Sequence, residues 1–166
     1  MVSVASAIGR YLQFTLMLSV ILIPACATKS ADKTGDHMSR LTNADNEVVV
    51  KNFMRAWSSL DPKILADYFA EDGIYYNMPT APVQGRDNIQ KFITGFIQPW
   101  QKTDWTITNI LSQGDLVIVE RIDKTTINGK VLDLPCVGVF ELENGKIKEW
   151  RDYFDLNTYT KNLSPR

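Results

Sequence analysis

Residues 116–154 read LVIVERIDKTTINGKVLDLPCVGVFELENGKIKEWRDYF, and two asparagine–glycine pairs divide them into three apolar-rich runs. Asn128-Gly129 is a strong two-residue hairpin signal, because both residues tolerate the positive φ such a turn needs. Asn144-Gly145 turns the chain again. The runs 116–127, 131–142 and 146–154 alternate β-branched or aromatic residues with polar ones, as half-buried strands do. Upstream, 105–112 shares that period and is set off by Gly114-Asp115, so four consecutive segments form an antiparallel meander.

Before Trp100 the spacing is helical. Val49, Phe53, Ala56, Trp57 and Leu60 recur at three- and four-residue intervals behind the capping residues Asn43 and Asp45. Asp61-Pro62 opens a second helix, with a side chain able to cap it and a proline at its first position. Its buried stripe is Leu65, Tyr68 and Phe69, and Glu71-Asp72-Gly73 ends it. A short strand over 74–78 and a loop over 79–85 (PTAPVQG) lead to a third helix over 87–97, with Ile89, Phe92, Ile93 and Phe96 on one face. A last short helix is expected over 157–163. Helices first and a meander afterwards predict an α+β domain with the helices packed on one face of a curved sheet.

Composition excludes several functions. At 166 residues and net charge −1, with its 18 lysines and arginines scattered, the chain offers no stripe for nucleic acid. One histidine, His37, and two cysteines, Cys26 and Cys136, provide neither a zinc ligand set nor a plausible nucleophile–histidine couple. Any chemistry must come from carboxylates, tyrosine, asparagine and arginine.

The first forty residues read as an address. Arg10 is the only formal charge before Cys26, and the apolar run 12–25 is short for a stable membrane span. Its ending, Leu22-Ile23-Pro24-Ala25-Cys26, resembles a bacterial lipoprotein box, which implies cleavage before Cys26 and lipidation of that cysteine. An ordinary signal cut near Ala27 and an uncleaved anchor are the alternatives. Residues 27–40 read as a polar linker and 41–166 as the folded domain. The expected location is the bacterial cell envelope, lipid-anchored, or else periplasmic or secreted. With Cys26 lipidated, Cys136 has no partner and reads as a small buried hydrophobe.

Side chains at i and i+2 of a strand share a face. Tyr75 and Asn77 form one such pair, Arg121 and Asp123 another, and Asp152 lies between Trp150 and Phe154 on a third strand. Parity does not say which face is buried. On residue pattern alone, an outer-surface ion pair is the simpler reading for Arg121 and Asp123. Tyr75 and Asn77 could equally serve a strand end, and Asp152 could pair outside with Arg151 or Arg55.

Three separated motifs resemble limonene-1,2-epoxide hydrolases: Tyr75-Tyr76-Asn77-Met78-Pro79, Glu120-Arg121-Ile122-Asp123, and Val137-Gly138-Val139-Phe140 running on to Trp150-Arg151-Asp152-Tyr153-Phe154-Asp155. The resemblance implies the cone-shaped, mostly antiparallel mixed sheet shared with ketosteroid isomerases and SnoaL-like and NTF2-like proteins. It also implies an Asp–Arg–Asp triad, with Asp123 as general acid, Arg121 as bridge and Asp152 as general base. Tyr75 and Asn77 would position the attacking water. A small apolar epoxide would become a vicinal diol without any cofactor, in an expected homodimer. Two rivals stay in play: an isomerase, cyclase or dehydratase on the same cone, and a non-catalytic envelope protein that binds an apolar molecule.

Overall fold

A computed structural model describes the backbone of residues 33–163 and the side chains of residues 45–161. The proposed signal segment, Cys26 and the first part of the linker lie outside the described residues. Helix α1 spans Lys33–Ala56. It therefore begins within the expected polar linker rather than at Asn43 or Asp45. Capping residues are only mildly unfavourable inside a helix, and cooperative extension from a packed segment overrides them.

A 3-10 turn, Trp57–Ser59, ends on Leu60 in the left-handed region. Asp61 then caps α2 (Pro62–Ala66) as expected, its side chain accepting from the backbone N–H groups of Lys63 and Ile64. The second helix is shorter than its apolar spacing predicts. Phe69 belongs instead to strand β1 (Phe69–Asn77), which runs through the Glu71-Asp72-Gly73 stretch expected to end the helix. That stretch is absorbed by a register shift between Phe69 and Ile74. A Cβ on Gly73 would meet the Ala70 and Ile147 carbonyl oxygens at 3.0 and 3.1 Å, so the irregularity needs a glycine.

The 79–85 loop contains a two-residue edge strand, β2 (Val83–Gln84), and leads into α3 (Arg86–Phe96). The meander follows as β3 (Trp100–Gln113), β4 (Leu116–Ile127), β5 (Lys130–Glu143) and β6 (Lys146–Phe154). Strand β3 starts five residues before the expected position because Trp100 and Thr103 find partners in Ile127 and Thr125 at the far end of β4. Asn128, Gly129, Asn144 and Gly145 all adopt positive φ, as their hairpins require. Asp155 caps the closing helix α4 (Leu156–Leu163) by accepting from Asn157 and Thr158.

The sheet order is β2-β1-β6-β5-β4-β3. Among the described residues only β1 and β6 pair in parallel; the other neighbours are antiparallel. Helices α1, α2 and α3, with the 3-10 turn after α1, lay Phe53, Trp57, Leu65, Ile89 and Ile93 on one sheet face, against Val117, Val119, Phe140, Ile147 and Trp150. Phe53 is the hub. Its ring meets Trp57, Tyr68, Phe69, Phe140 and Trp150 at centroid distances of 5.1–6.2 Å. Phe53→Ala should lower stability by about 3–5 kcal/mol, read as an earlier midpoint in urea unfolding.

Candidate active site

On β4 the odd-numbered residues from Val117 to Ile127 are all buried, and the even-numbered ones are not. The buried face carries Arg121, Asp123 and Thr125 in the same row as Val117 and Val119. The surface ion pair that pattern alone favoured is therefore ruled out for Arg121 and Asp123. Asp152 on β6 points to the same face, and so do Tyr75 and Asn77 on β1, which lie beside Trp150 and Asp152 in the parallel ladder. All five residues named from the sequence come together. Tyr76 lies on the opposite face, and Arg151 pairs there with Glu141 and Glu149 rather than with Asp152.

Arg121 is the centre of the group. Its Nε and Nη2 donate to the two carboxylate oxygens of Asp123 at 2.8 and 3.0 Å. Its Nη1 and Nη2 donate to the two oxygens of Asp152 at 2.8 and 2.9 Å. The planar guanidinium thus grips both carboxylates in two-point fashion, which a lysine could not do. The Trp105 and Trp150 ring centroids lie 4.5 and 5.6 Å from the guanidinium carbon, so the cation sits over indole faces.

To join β4 to β6 the arginine must cross β5. Gly138 is the residue it passes, paired with Val119 on one side and Asp152 on the other. A Cβ there would stand 2.7 Å from the Phe140 ring, 2.9 Å from Trp150 Nε1 and 3.1 Å from Arg121 Nη1. Sequence reasoning quoted Gly138 within a motif but gave it no role. The signal was a glycine in a strand interior, which marks a close approach.

Cys136 was also missed as part of the site. It is buried opposite Arg121, and its thiol donates to Asp123 Oδ2 at 3.3 Å. Thr125, Thr103 and Tyr159 drew no attention either, because hydroxyl residues on a strand or short helix carry no spacing signal.

Burial sets the titration of this group. Loss of hydration pushes the Asp123 carboxyl up to about 6; Arg121 opposes the rise and the nearby Asp152 charge adds to it. Burial also raises Asp152, again against Arg121. Burial works against the charged guanidinium, but the two carboxylates outweigh it and hold Arg121 firmly protonated. Burial and the Asp152 charge keep the Tyr75 hydroxyl protonated well beyond the usual range. Burial and Asp123 likewise keep Cys136 a thiol. Two carboxylates, one guanidinium and one shared proton sum to zero charge, the form cheapest to bury, and they titrate as a unit.

Asp123, Asp152, Tyr75 and Cys136 line a pocket of about 360 Å³, mouth included, walled by Phe96, Trp100, Trp105, Leu132, Leu134 and Phe154. Asn77 Oδ1 is buried without a hydrogen-bond partner among the described residues. No cluster of three or more His, Cys, Asp or Glu that could hold a metal occurs among the described residues.

Fold and site together define a cone-shaped α+β protein of the NTF2-like and SnoaL-like class with a buried Asp–Arg–Asp group. The sequence profile described as the limonene-1,2-epoxide hydrolase catalytic domain matches residues 44–165. The chain belongs to the limonene-1,2-epoxide hydrolase family. It is 27% identical over 114 residues to the epoxide hydrolase EphG of Mycobacterium tuberculosis, covering 69% of this chain and 76% of that one. A solved structure of an M. tuberculosis LEH-like epoxide hydrolase superimposes with a TM-score of 0.63 at 25% identity, covering 73% and 90% of the two chains. A SnoaL-like protein of Jannaschia sp. CCS1 shares the fold with a TM-score of 0.67 at 17% identity, covering 75% and 96%.

Two outcomes test the site as a physical object. Gly138→Ala should cost about 1–3 kcal/mol of stability by overpacking, measured by urea unfolding. Asp123 binds its proton more tightly folded, at about 6, than at the ordinary 3.8. Its contribution to stability is therefore complete below about 4 and is lost as pH rises through about 6. Urea midpoints taken from pH 4 to 7 should show this loss in the parent protein, and the difference from Asp123→Asn should vanish at the acid end.

Proposed function

We propose that the protein is a cofactor-independent epoxide hydrolase that adds water to a small apolar epoxide in one step. The observation that carries this reading is the single buried guanidinium hydrogen-bonded to both Asp123 and Asp152. An oxirane is strained, so its opening needs a positioned nucleophile and an acid for the departing oxygen. One carboxyl group would supply the acid, and the other the base that activates a held water as the nucleophile.

Asp152, Asn77 and Tyr75 lie side by side on β6 and β1. A water between them gives one hydrogen bond to Asp152 and one to the orphan Asn77 Oδ1, and accepts one from the Tyr75 hydroxyl. Those three contacts leave one lone pair, aimed into the pocket. As the water oxygen bonds to an oxirane carbon, Asp152 takes its proton and the ring C–O bond breaks. Asp123 gives its proton to the released oxygen, and the product is a vicinal diol. Arg121 ends the step as it began, shared between one neutral and one ionised carboxyl, so the pocket's net charge stays constant. The raised Asp123 carboxyl suits the acid role because it keeps a proton closer to neutrality than an ordinary aspartate.

An isomerase on this cone would need one base and an oxyanion donor. The two-point grip of Arg121 on two carboxylates argues for the acid–base pair instead. The purified full-length chain should hydrate limonene oxide, styrene oxide or a related apolar epoxide. Asp152→Asn and Asp123→Asn should each lower kcat by roughly 10²–10⁴-fold, followed by chromatography of the diol. Full activity in either variant removes the role assigned to that residue, and a panel left untouched by the parent protein removes the reaction.

A further inference from the structure

Beyond Asp123, the inner face of β4 continues to Thr125 and then Ile127, away from the triad. Thr125 is buried, lines the pocket and sits opposite Thr103 of β3. The two hydroxyl oxygens are 2.7 Å apart. Either hydroxyl can be the donor across that gap. Trp105 Nε1 donates to Thr103 Oγ1 at 2.9 Å, so that oxygen already accepts. Thr103 has one proton to give, and its choices are Thr125 Oγ1 at 2.7 Å or the Lys124 carbonyl at 3.5 Å. The shorter bond is the effective one. When Thr103 gives its proton to that contact, Thr125 accepts, and its own hydroxyl hydrogen is left without an acceptor among the described residues.

Tyr159 repeats the arrangement from the other side. It is buried against β5 by α4 and lines the same pocket. Its hydroxyl oxygen accepts from Trp100 Nε1 at 3.3 Å, and its hydrogen too has no acceptor among the described residues. Two indole N–H groups thus take acceptor positions on Tyr159 and Thr103, which leaves Tyr159 and, with Thr103 as donor, Thr125 with a hydroxyl hydrogen to give. A buried donor left unmade is expensive, which makes this end of an otherwise apolar pocket selective for an acceptor.

We propose that Thr125 and Tyr159 form a second polar subsite, which binds an acceptor oxygen carried by the substrate at a distance from the oxirane. Resting on the epoxide-hydrolase reading, it narrows the substrate class to epoxides bearing a carbonyl, ether or hydroxyl oxygen. Two residues along a strand set the separation at about 7 Å from the acid Asp123. Thr103 is a positioning residue, since it acts by orienting the Thr125 hydroxyl.

The test compares methyl 3,4-epoxycyclohexanecarboxylate with 4-vinylcyclohexene 1,2-epoxide, which share a ring and differ in the acceptor. The purified full-length chain should favour the ester in kcat/KM. Thr125→Val and Tyr159→Phe should each reduce that preference by about three- to tenfold. Thr103→Val should reduce it as well, and Thr103→Ser should restore it. In parallel, tryptophan fluorescence titrations with unreactive methyl cyclohexanecarboxylate and vinylcyclohexane read binding without chemistry, because Trp100 and Trp105 wall the pocket. A ratio between ester and vinyl compound that is the same in the parent and in all variants, by both readouts, overturns the subsite. An ester preference that depends on Thr125 in the titrations, with neither epoxide hydrated, sustains the subsite and overturns the hydrolase reading instead.

Discussion

The structure depends on one arrangement: a guanidinium with no exposure to solvent, held between two carboxylates on strands that are not neighbours. Charges this deeply buried are tolerated only when each is paired and hydrogen-bonded, because the loss of hydration costs several kcal/mol per ion. Here every nitrogen of the guanidinium has a carboxylate oxygen. The requirement reaches outward. Strand β5 must offer a glycine where the arginine crosses, β4 must keep its odd residues inward, and β6 must lie in the middle of the sheet rather than at its edge.

The rest of the inner face explains how such a group is supported. One half is a dry aromatic core in which Tyr75 stacks on Trp150 at 4.4 Å and Trp150 packs on Phe140 at 5.3 Å. The other half opens into the pocket. Tyr75 belongs to both, so the ring that presents a hydroxyl to the site is clamped by Trp150 in the core behind it. Low local polarity has two consequences at once. It strengthens each hydrogen bond to Arg121, and it holds the aspartates in the upper part of the carboxyl range, where a proton can be shared between them.

Much of this was legible in the chain. The asparagine–glycine turns placed three of the six strands, and period-2 spacing put Arg121 with Asp123 and Tyr75 with Asn77. Spacing could not choose the buried face, and there the bare pattern pointed the wrong way for Arg121 and Asp123; the motif resemblance supplied what parity lacked. Phe69 was read as helical because Leu65, Tyr68 and Phe69 have helical spacing. Its strand pairing with Ile147 is non-local, and no nearby residue announces it. Cys136, read as a small buried hydrophobe and indeed buried, was given no part in the site, and Gly138 and Thr125 went unassigned, for a related reason. Their significance comes from what lies across the sheet from them, and neighbours in space leave little trace in a single sequence.

The one parallel pairing, β1 against β6, has a consequence for the life history of the molecule. Every other long strand finds its partner through a tight turn, so the meander can zip up from local contacts. Strand β1 cannot join until β6, the last strand of the sheet, has been made and placed, and non-local closure of that kind is slow. The two residues that would hold a water are on β1, and the carboxylate that would use it is on β6. A ribosome must therefore release the chain through β6 before the reactive centre can exist at all.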